Sequence, residues 1–145
     1  MAGRPDPPVP RLRLLMRPRG IDHVVIRTRD LEAMIAFYCE VIGCTVERRR
    51  DDIGLIQLRA GDALIDLVPV AGVLGAKGGA APGPEGRNMD HLCLRIADFQ
   101  IKAVRAHLKS HGVKLGDEGL RYGSTGEAVS IYISDPDGND LELRG

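Results

Sequence analysis

The segments IDHVVIR (residues 21–27) and MDHLCLR (residues 89–95) decide the fold, because they are two copies of one pattern, displaced by 68 positions from 21 to 89. In each copy, Asp-His is followed by an arginine four residues after the histidine, and by an aspartate three residues further on, Asp30 or Asp98. Apolar residues at helical spacing come next and end at a glycine, so we predict helices with Asp30 and Asp98 as N-caps. The repeat indicates a duplicated structural unit.

Three further strands are predicted in each copy. In the first they cover 45–49, 54–59 and 64–68, and in the second 114–116, 128–134 and 140–144. The sequence DPDGN (residues 135–139) is typical of a tight hairpin turn, because Pro presets φ and Gly or Asn accepts positive φ. Each copy is therefore predicted to be a βαβββ module.

Composition divides the chain and excludes several functions. Residues 1–19 form a basic, Pro-rich tail, interpreted as a mobile tail or interaction arm because its prolines oppose the helix of a transit peptide. Residues 20–145 form the domain: module 20–70, a Gly/Ala/Pro-rich linker 71–88 and module 89–145.

Twenty basic and twenty acidic residues cancel, which argues against a nucleic-acid partner. No apolar run approaches the ~20 residues that span a bilayer, and three cysteines without CxxC favour a reducing compartment. We therefore expect a soluble, cytoplasmic protein.

Strand alternation brings four chemically useful side chains to one face of the predicted sheets. His23 and His91 occupy equivalent places on the face opposite the helices, whereas Asp22, Val24 and Ile26 are expected under the helix. Asp66 and Glu142 occupy matched places in the last strand of each module. If the halves join into one curved sheet, two imidazoles and one or two carboxylates converge there. Such a set binds a divalent first-row metal and leaves positions open for substrate.

The sequence resembles a known superfamily in three stretches: IDHVVIRTRDLEAMIAFYCEVIG, MDHLCLRI and SIYISDPDGNDLEL. They are similar to the vicinal oxygen chelate superfamily, whose members include glyoxalase I, bleomycin and fosfomycin resistance proteins, and extradiol dioxygenases. The resemblance covers residues 20–145. It implies an α+β fold of two βαβββ modules that form a curved, cup-shaped mixed sheet.

By this resemblance, the divalent metal (Ni, Co, Zn, Mn or Fe) has four ligands: His23, Asp66, His91 and Glu142. Glyoxalase I has Glu where this chain has Asp66, which is one methylene shorter. Without Asp66 as a direct ligand, a three-ligand site of the two histidines and Glu142 remains, as in the dioxygenase and fosfomycin-resistance branches. Glu142 is the catalytic candidate, as the group that moves a proton in an isomerase.

The resemblance implies a glyoxalase-like, metal-dependent lyase or isomerase that acts on a small oxygenated substrate. A ring-cleaving dioxygenase, a fosfomycin-resistance-type transferase and a bleomycin-resistance-type drug-binding protein are the alternatives. It also implies a homodimer with a small-molecule substrate, while the composition argues against a nucleic-acid or membrane partner. Some members build the site across the dimer interface.

Five other polar side chains are weaker candidates. Arg121 and Tyr122, in a predicted Gly-rich loop, either hold an anionic substrate or belong to an exposed loop. Tyr132 shares a face with Ser130 and is a candidate for lining the cavity. Arg27 and Arg95 share the face of the histidines, where they either bind a carboxylate or phosphate or pair with acids at the rim.

Overall fold

The computed structural model describes residues 15–145, and the prediction for the basic tail falls mostly on residues 1–14, outside the described part. The two modules have the predicted order of elements. The first comprises β1 (His23–Thr28), α1 (Leu31–Ala36) with a π-helical turn (Phe37–Val41), β2 (Thr45–Arg50), β3 (Leu55–Ala60) and β4 (Ala63–Pro69). The second comprises β5 (His91–Arg95), α2 (Ile101–Ser110), β6 (Glu118–Gly123), β7 (Gly126–Ser134) and β8 (Asp140–Arg144).

Each module forms its own four-stranded mixed sheet, with strand orders β1-β4-β3-β2 and β5-β8-β7-β6. The first strand of each module runs parallel to the last, and the other pairs are antiparallel. The predicted α+β class and the paired βαβββ modules are confirmed. Within residues 15–145, however, the two sheets are not hydrogen-bonded to each other.

One hydrophobic core joins the two modules. It includes Ile26, Met34 and Tyr38 from the first module and Ile131 and Leu141 from the second. The hydroxyl of Tyr38 donates to Oδ2 of Asp135 over 2.9 Å in the buried region between the modules. Burial raises the pKa of Tyr38, which therefore stays protonated as a donor. The packing orients both sheets with their histidines away from the core.

The first helix begins as predicted, but the second does not. The backbone N–H of Ala33 donates to Oδ1 of Asp30 over 3.1 Å, which confirms this N-cap. Asp98 instead adopts a φ of 50°, and α2 begins only at Ile101, after Gln100. The prediction for Asp98 was wrong because a turn with a left-handed aspartate, a conformation Asp tolerates, intervenes before the helix.

The second strand of module two was also predicted in the wrong place. Residues 114–116 lie in a loop, and the strand is Glu118–Gly123. Arg121 and Tyr122 therefore belong to a strand and not to a Gly-rich loop. Glycines are poor strand formers, but Gly123 lies in this strand, where the absence of a side chain leaves room for the guanidinium of Arg144.

The linker is held against the first module by Arg27. Its guanidinium donates to the backbone carbonyls of four linker residues: Gly75, Gly78, Gly79 and Ala80. These bonds occupy the Arg27 side chain in a structural role.

Within residues 15–145, no helix is both long and apolar enough to cross a bilayer.

Candidate metal and substrate site

Each sheet carries a histidine and a carboxylate at the same register. In the first sheet, Val25 is the parallel partner of Asp66, and His23 precedes Val25 by two residues. In the second, Cys93 is the partner of Glu142, and His91 precedes Cys93 by two. Residues two apart in a strand share a face, so each His–carboxylate pair lies on one side of its sheet, as predicted.

The pair in the second module is in direct contact. Nε2 of His91 lies 3.2 Å from Oε2 of Glu142, a residue that is nearly inaccessible at 6% exposure. Ser130 Oγ donates to Glu142 Oε1 over 2.5 Å, and the Tyr132 hydroxyl donates to Oε2 over 3.1 Å. Burial opposes ionisation of Glu142, but these hydrogen bonds and the charge of His91 outweigh it and lower its pKa.

The pair in the first module is looser. Asp66 is 4% exposed and accepts from Gln57 Nε2 at 3.3 and 3.2 Å. His23 and Asp66 do not approach within 4.0 Å. Aspartate is one methylene shorter than glutamate, so Asp66 reaches less far from its strand than Glu142 does. Gln57, like Tyr132, lies directly across the antiparallel strand pair from its carboxylate. Sequence reasoning missed Gln57 because nothing in its local pattern marks it.

Both histidines are oriented by the aspartate that precedes them. The Nδ1–H of His23 donates to Asp22 Oδ1, and that of His91 to Asp90 Oδ1, each over 2.6 Å. These bonds are the main cause of the raised pKa of both imidazoles. The prediction that Asp22 packs under the helix was wrong: it precedes β1 and is exposed. A carboxylate on one imidazole nitrogen fixes the ring and leaves Nε2 as the donor to a metal.

The two pairs remain apart within one chain. Among residues 15–145, no three His, Cys, Asp or Glu side chains gather closely enough to hold a metal ion. The structure therefore brings His91 and Glu142 together, and places His23 and Asp66 on the other sheet. The assignment of four metal ligands remains a prediction. Within a single chain, the four candidate ligands form two separate His–carboxylate pairs.

The predicted substrate-binding residues have different positions. The guanidinium carbon of Arg121 lies 5.8 Å from the ring centroid of Tyr132, and the Tyr132 hydroxyl bonds Glu142. Burial and this bond raise the pKa of Tyr132. Tyr122 alternates to the opposite face of β6 and is 84% exposed. The structure thus places Tyr132 against Glu142 and Arg121 over the ring of Tyr132, and it places Tyr122 on the opposite face.

A sequence profile of the Glyoxalase/Bleomycin resistance protein/Dioxygenase superfamily matches residues 20–143. The chain belongs to this superfamily. The match covers both modules and the linker between them, so the duplicated unit seen in the sequence is the domain of this superfamily.

The proteins that are similar to this chain carry names that indicate different functions. Virulence protein STM3117 from Salmonella typhimurium is 30% identical over 129 residues, covering 85% of this chain and 81% of the relative. Its crystal structure superposes with a TM-score of 0.75 at 28% identity, covering 89% of this chain and 98% of the other. Catechol-2,3-dioxygenase from Bacillus subtilis is 28% identical, covering 85% of this chain and 40% of that protein. A probable lactoylglutathione lyase from Synechocystis is 25% identical, covering 83% and 91%.

Proposed function

We propose that this protein is a metal-dependent lyase or isomerase of the glyoxalase type that acts on a small oxygenated substrate. The observation that supports this most is the equal register of two His–carboxylate pairs in duplicated modules, one of them in direct contact at 3.2 Å. The relative named as a probable lactoylglutathione lyase agrees with this class of activity.

The donor set fits a divalent metal. Asp66 and Glu142 are buried carboxylates, and within residues 15–145 neither lies within 4.0 Å of a lysine or arginine nitrogen. A neighbouring cation offsets the cost of burying a carboxylate, so a bound metal ion would stabilise both, in addition to the contact that Glu142 already makes with His91. His23, Asp66, His91 and Glu142 are the residues that would hold it. When bound, such an ion polarises a carbonyl and stabilises an enediolate.

Glu142 is the group that we assign to proton transfer. With its lowered pKa, Glu142 is ionised at neutral pH, which is the form that can accept a proton. Ser130 and Tyr132 fix both carboxylate oxygens, which holds the base in one orientation. We assign Arg121, whose guanidinium lies over the ring of Tyr132, to orienting an oxygen of the substrate.

We infer that a homodimer completes the site. One chain holds the two pairs on separate sheets, and a symmetric pair of chains can oppose module one of one chain to module two of the other. Val25 supports such an interface. It shares the face of His23 and Asp66 and is 52% exposed, although it is apolar.

Metal analysis of protein purified without chelators or a histidine tag tests this proposal, with His23→Ala and Glu142→Ala as controls. We expect stoichiometric divalent metal in the wild type and its loss in both variants. Unchanged metal content in both would exclude the ligand assignment. The metal-loaded protein should then convert the thiol adduct of an α-oxoaldehyde without oxygen uptake.

A ring-cleaving dioxygenase is the second candidate. The similarity to catechol-2,3-dioxygenase favours it, as does the looser position of Asp66, which would leave His23, His91 and Glu142 as ligands. Activity that requires Fe(II) and consumes oxygen with a catechol would support this candidate over the first.

A further inference from the structure

Arg144 is a buried cation that lies beside the candidate site and has no role in the proposed chemistry. It follows Glu142 by two residues on β8, shares its face, and is 4% exposed. Its Nη2 donates to the backbone carbonyl of Gly126 over 2.6 Å. Its Nε is fully buried and has no hydrogen-bond partner among residues 15–145. A buried polar atom without a partner in a native protein requires an explanation.

The hairpin between β6 and β7 is built around this guanidinium. Gly123 and Gly126 are paired where β6 turns into β7. A Cβ at Gly123 would overlap the Arg144 guanidinium, so no other residue fits without displacing it. The hairpin thus covers Arg144 and supplies only one carbonyl to it.

No acid of residues 15–145 neutralises Arg144. No carboxylate oxygen of residues 15–145 lies within 4.0 Å of its nitrogens, although Glu142 lies on the same face. Glu142 is instead bonded by Ser130 and Tyr132 and contacts His91. The parallel partner of Arg144 on β5 is another cation, Arg95, which is exposed and has no ion pair within the described chain. Burying an unpaired charge is costly, and an anion between these arginines would offset the cost.

We propose that Arg144 and Arg95 bind an oxyanion group, a carboxylate or a phosphoryl group, of the substrate that Glu142 acts on. The guanidinium fork matches both groups in geometry. Because the hairpin covers Arg144, binding requires that its tip, residues 123–126, moves and that the ligand replaces the Gly126 carbonyl. The position of the reacting part of the substrate rests on the proposed function, but anion binding itself does not require the metal.

The other module lacks this feature. The residue two positions after Asp66 is Val68, which is buried and apolar. The anion site is therefore a property of module two alone, and a completed site would hold the charged end of its substrate next to Glu142.

Titration of inorganic phosphate and of acetate into the metal-free full-length protein, followed by calorimetry, tests the proposal. Arg144→Met removes the charge at similar length, and Arg95→Gln removes its exposed neighbour. Arg48→Gln is the matched control, because Arg48 is an exposed strand arginine of module one. We expect Kd for the preferred anion to rise about tenfold or more in Arg144→Met and severalfold in Arg95→Gln, and to stay within about twofold in the control.

Preference for phosphate would identify a phosphoryl substrate, and preference for acetate a carboxylate. Equal binding in wild type and Arg144→Met, or no binding by the wild type, would overturn the proposal. If Arg144→Met does not fold, the comparison of Arg95→Gln with Arg48→Gln tests the proposal instead. Equal Kd values for the anion in these two variants would contradict the proposal. Anion binding in a protein that never takes up metal would refute the proposed function and leave this inference standing.

Discussion

Module one presents Asp66 with a single amide donor, Gln57, whereas module two presents Glu142 with two hydroxyl donors and a histidine in contact. The strands, the register and the Asp-His dipeptide are the same in both. After Asp66 comes an apolar Val68, and after Glu142 comes the buried Arg144. The duplication thus provided one scaffold twice, and the differences lie in the side chains around the carboxylate. In the proposed site, module one supplies ligands and module two supplies the base and the anion site.

The largest difference between the modules should appear when a ligand is removed. We expect His91→Ala to weaken metal binding by more than about 100-fold, and Asp66→Ala by about tenfold, since Asp66 does not reach His23. Equilibrium dialysis with a divalent ion measures both. A loss in Asp66→Ala equal to or greater than that in His91→Ala would show that Asp66 coordinates directly and that the modules are equivalent.

Asp22→Asn and Asp90→Asn test what the modules share. Each aspartate accepts from Nδ1 of its histidine over the same 2.6 Å. Both variants should therefore lose metal affinity by about tenfold and by similar amounts. Direct titration with the metal compares them, with Asp62→Asn, an exposed turn residue of module one, as the control. A large effect of one variant and none of the other would contradict the equal orientation of the two imidazoles.

Tyr38→Phe tests the junction between the modules. The phenol is buried and donates to Asp135 of the other module, so its removal leaves a buried carboxylate oxygen with one donor fewer. We expect the free energy of unfolding to fall by about 1–2 kcal/mol, measured by urea denaturation. Tyr122→Phe, at an exposed position, should change it by less than about 0.5 kcal/mol. Equal stability of both variants would show that this bond does not couple the modules.

Ser130→Ala should have the smallest effect, on pH dependence alone. The Ser130 hydroxyl helps to lower the pKa of Glu142, and a carboxylate with a lowered pKa stays ionised until the pH falls through that value. Without the donor the pKa rises, so metal should dissociate at a higher pH during acidification, with little change at neutral pH. Metal retention measured from neutral to acid pH checks this. If metal is released at the same pH as in the wild type, Ser130 does not lower the pKa of Glu142.

The sequence predicted what the repeat and the strand period encode: two βαβββ modules, the Asp30 cap, and the face shared by each histidine and its carboxylate. It misplaced β6, because glycines that accommodate Arg144 look like loop residues. It also assigned Asp22 to the core by extending strand alternation beyond the start of β1. Gln57 and the separation of the sheets depend on tertiary packing, which no local pattern reports.

Mixing His23→Ala with Glu142→Ala tests the central claim most directly. The claim is that each metal site is formed by module one of one chain and module two of the other. Each variant alone should bind no metal. After unfolding and refolding together, the mixed dimers should regain one intact site, giving about a quarter of the wild-type metal content. Recovery of no metal from the mixture, with wild-type protein that refolds and binds metal in parallel, would contradict the claim.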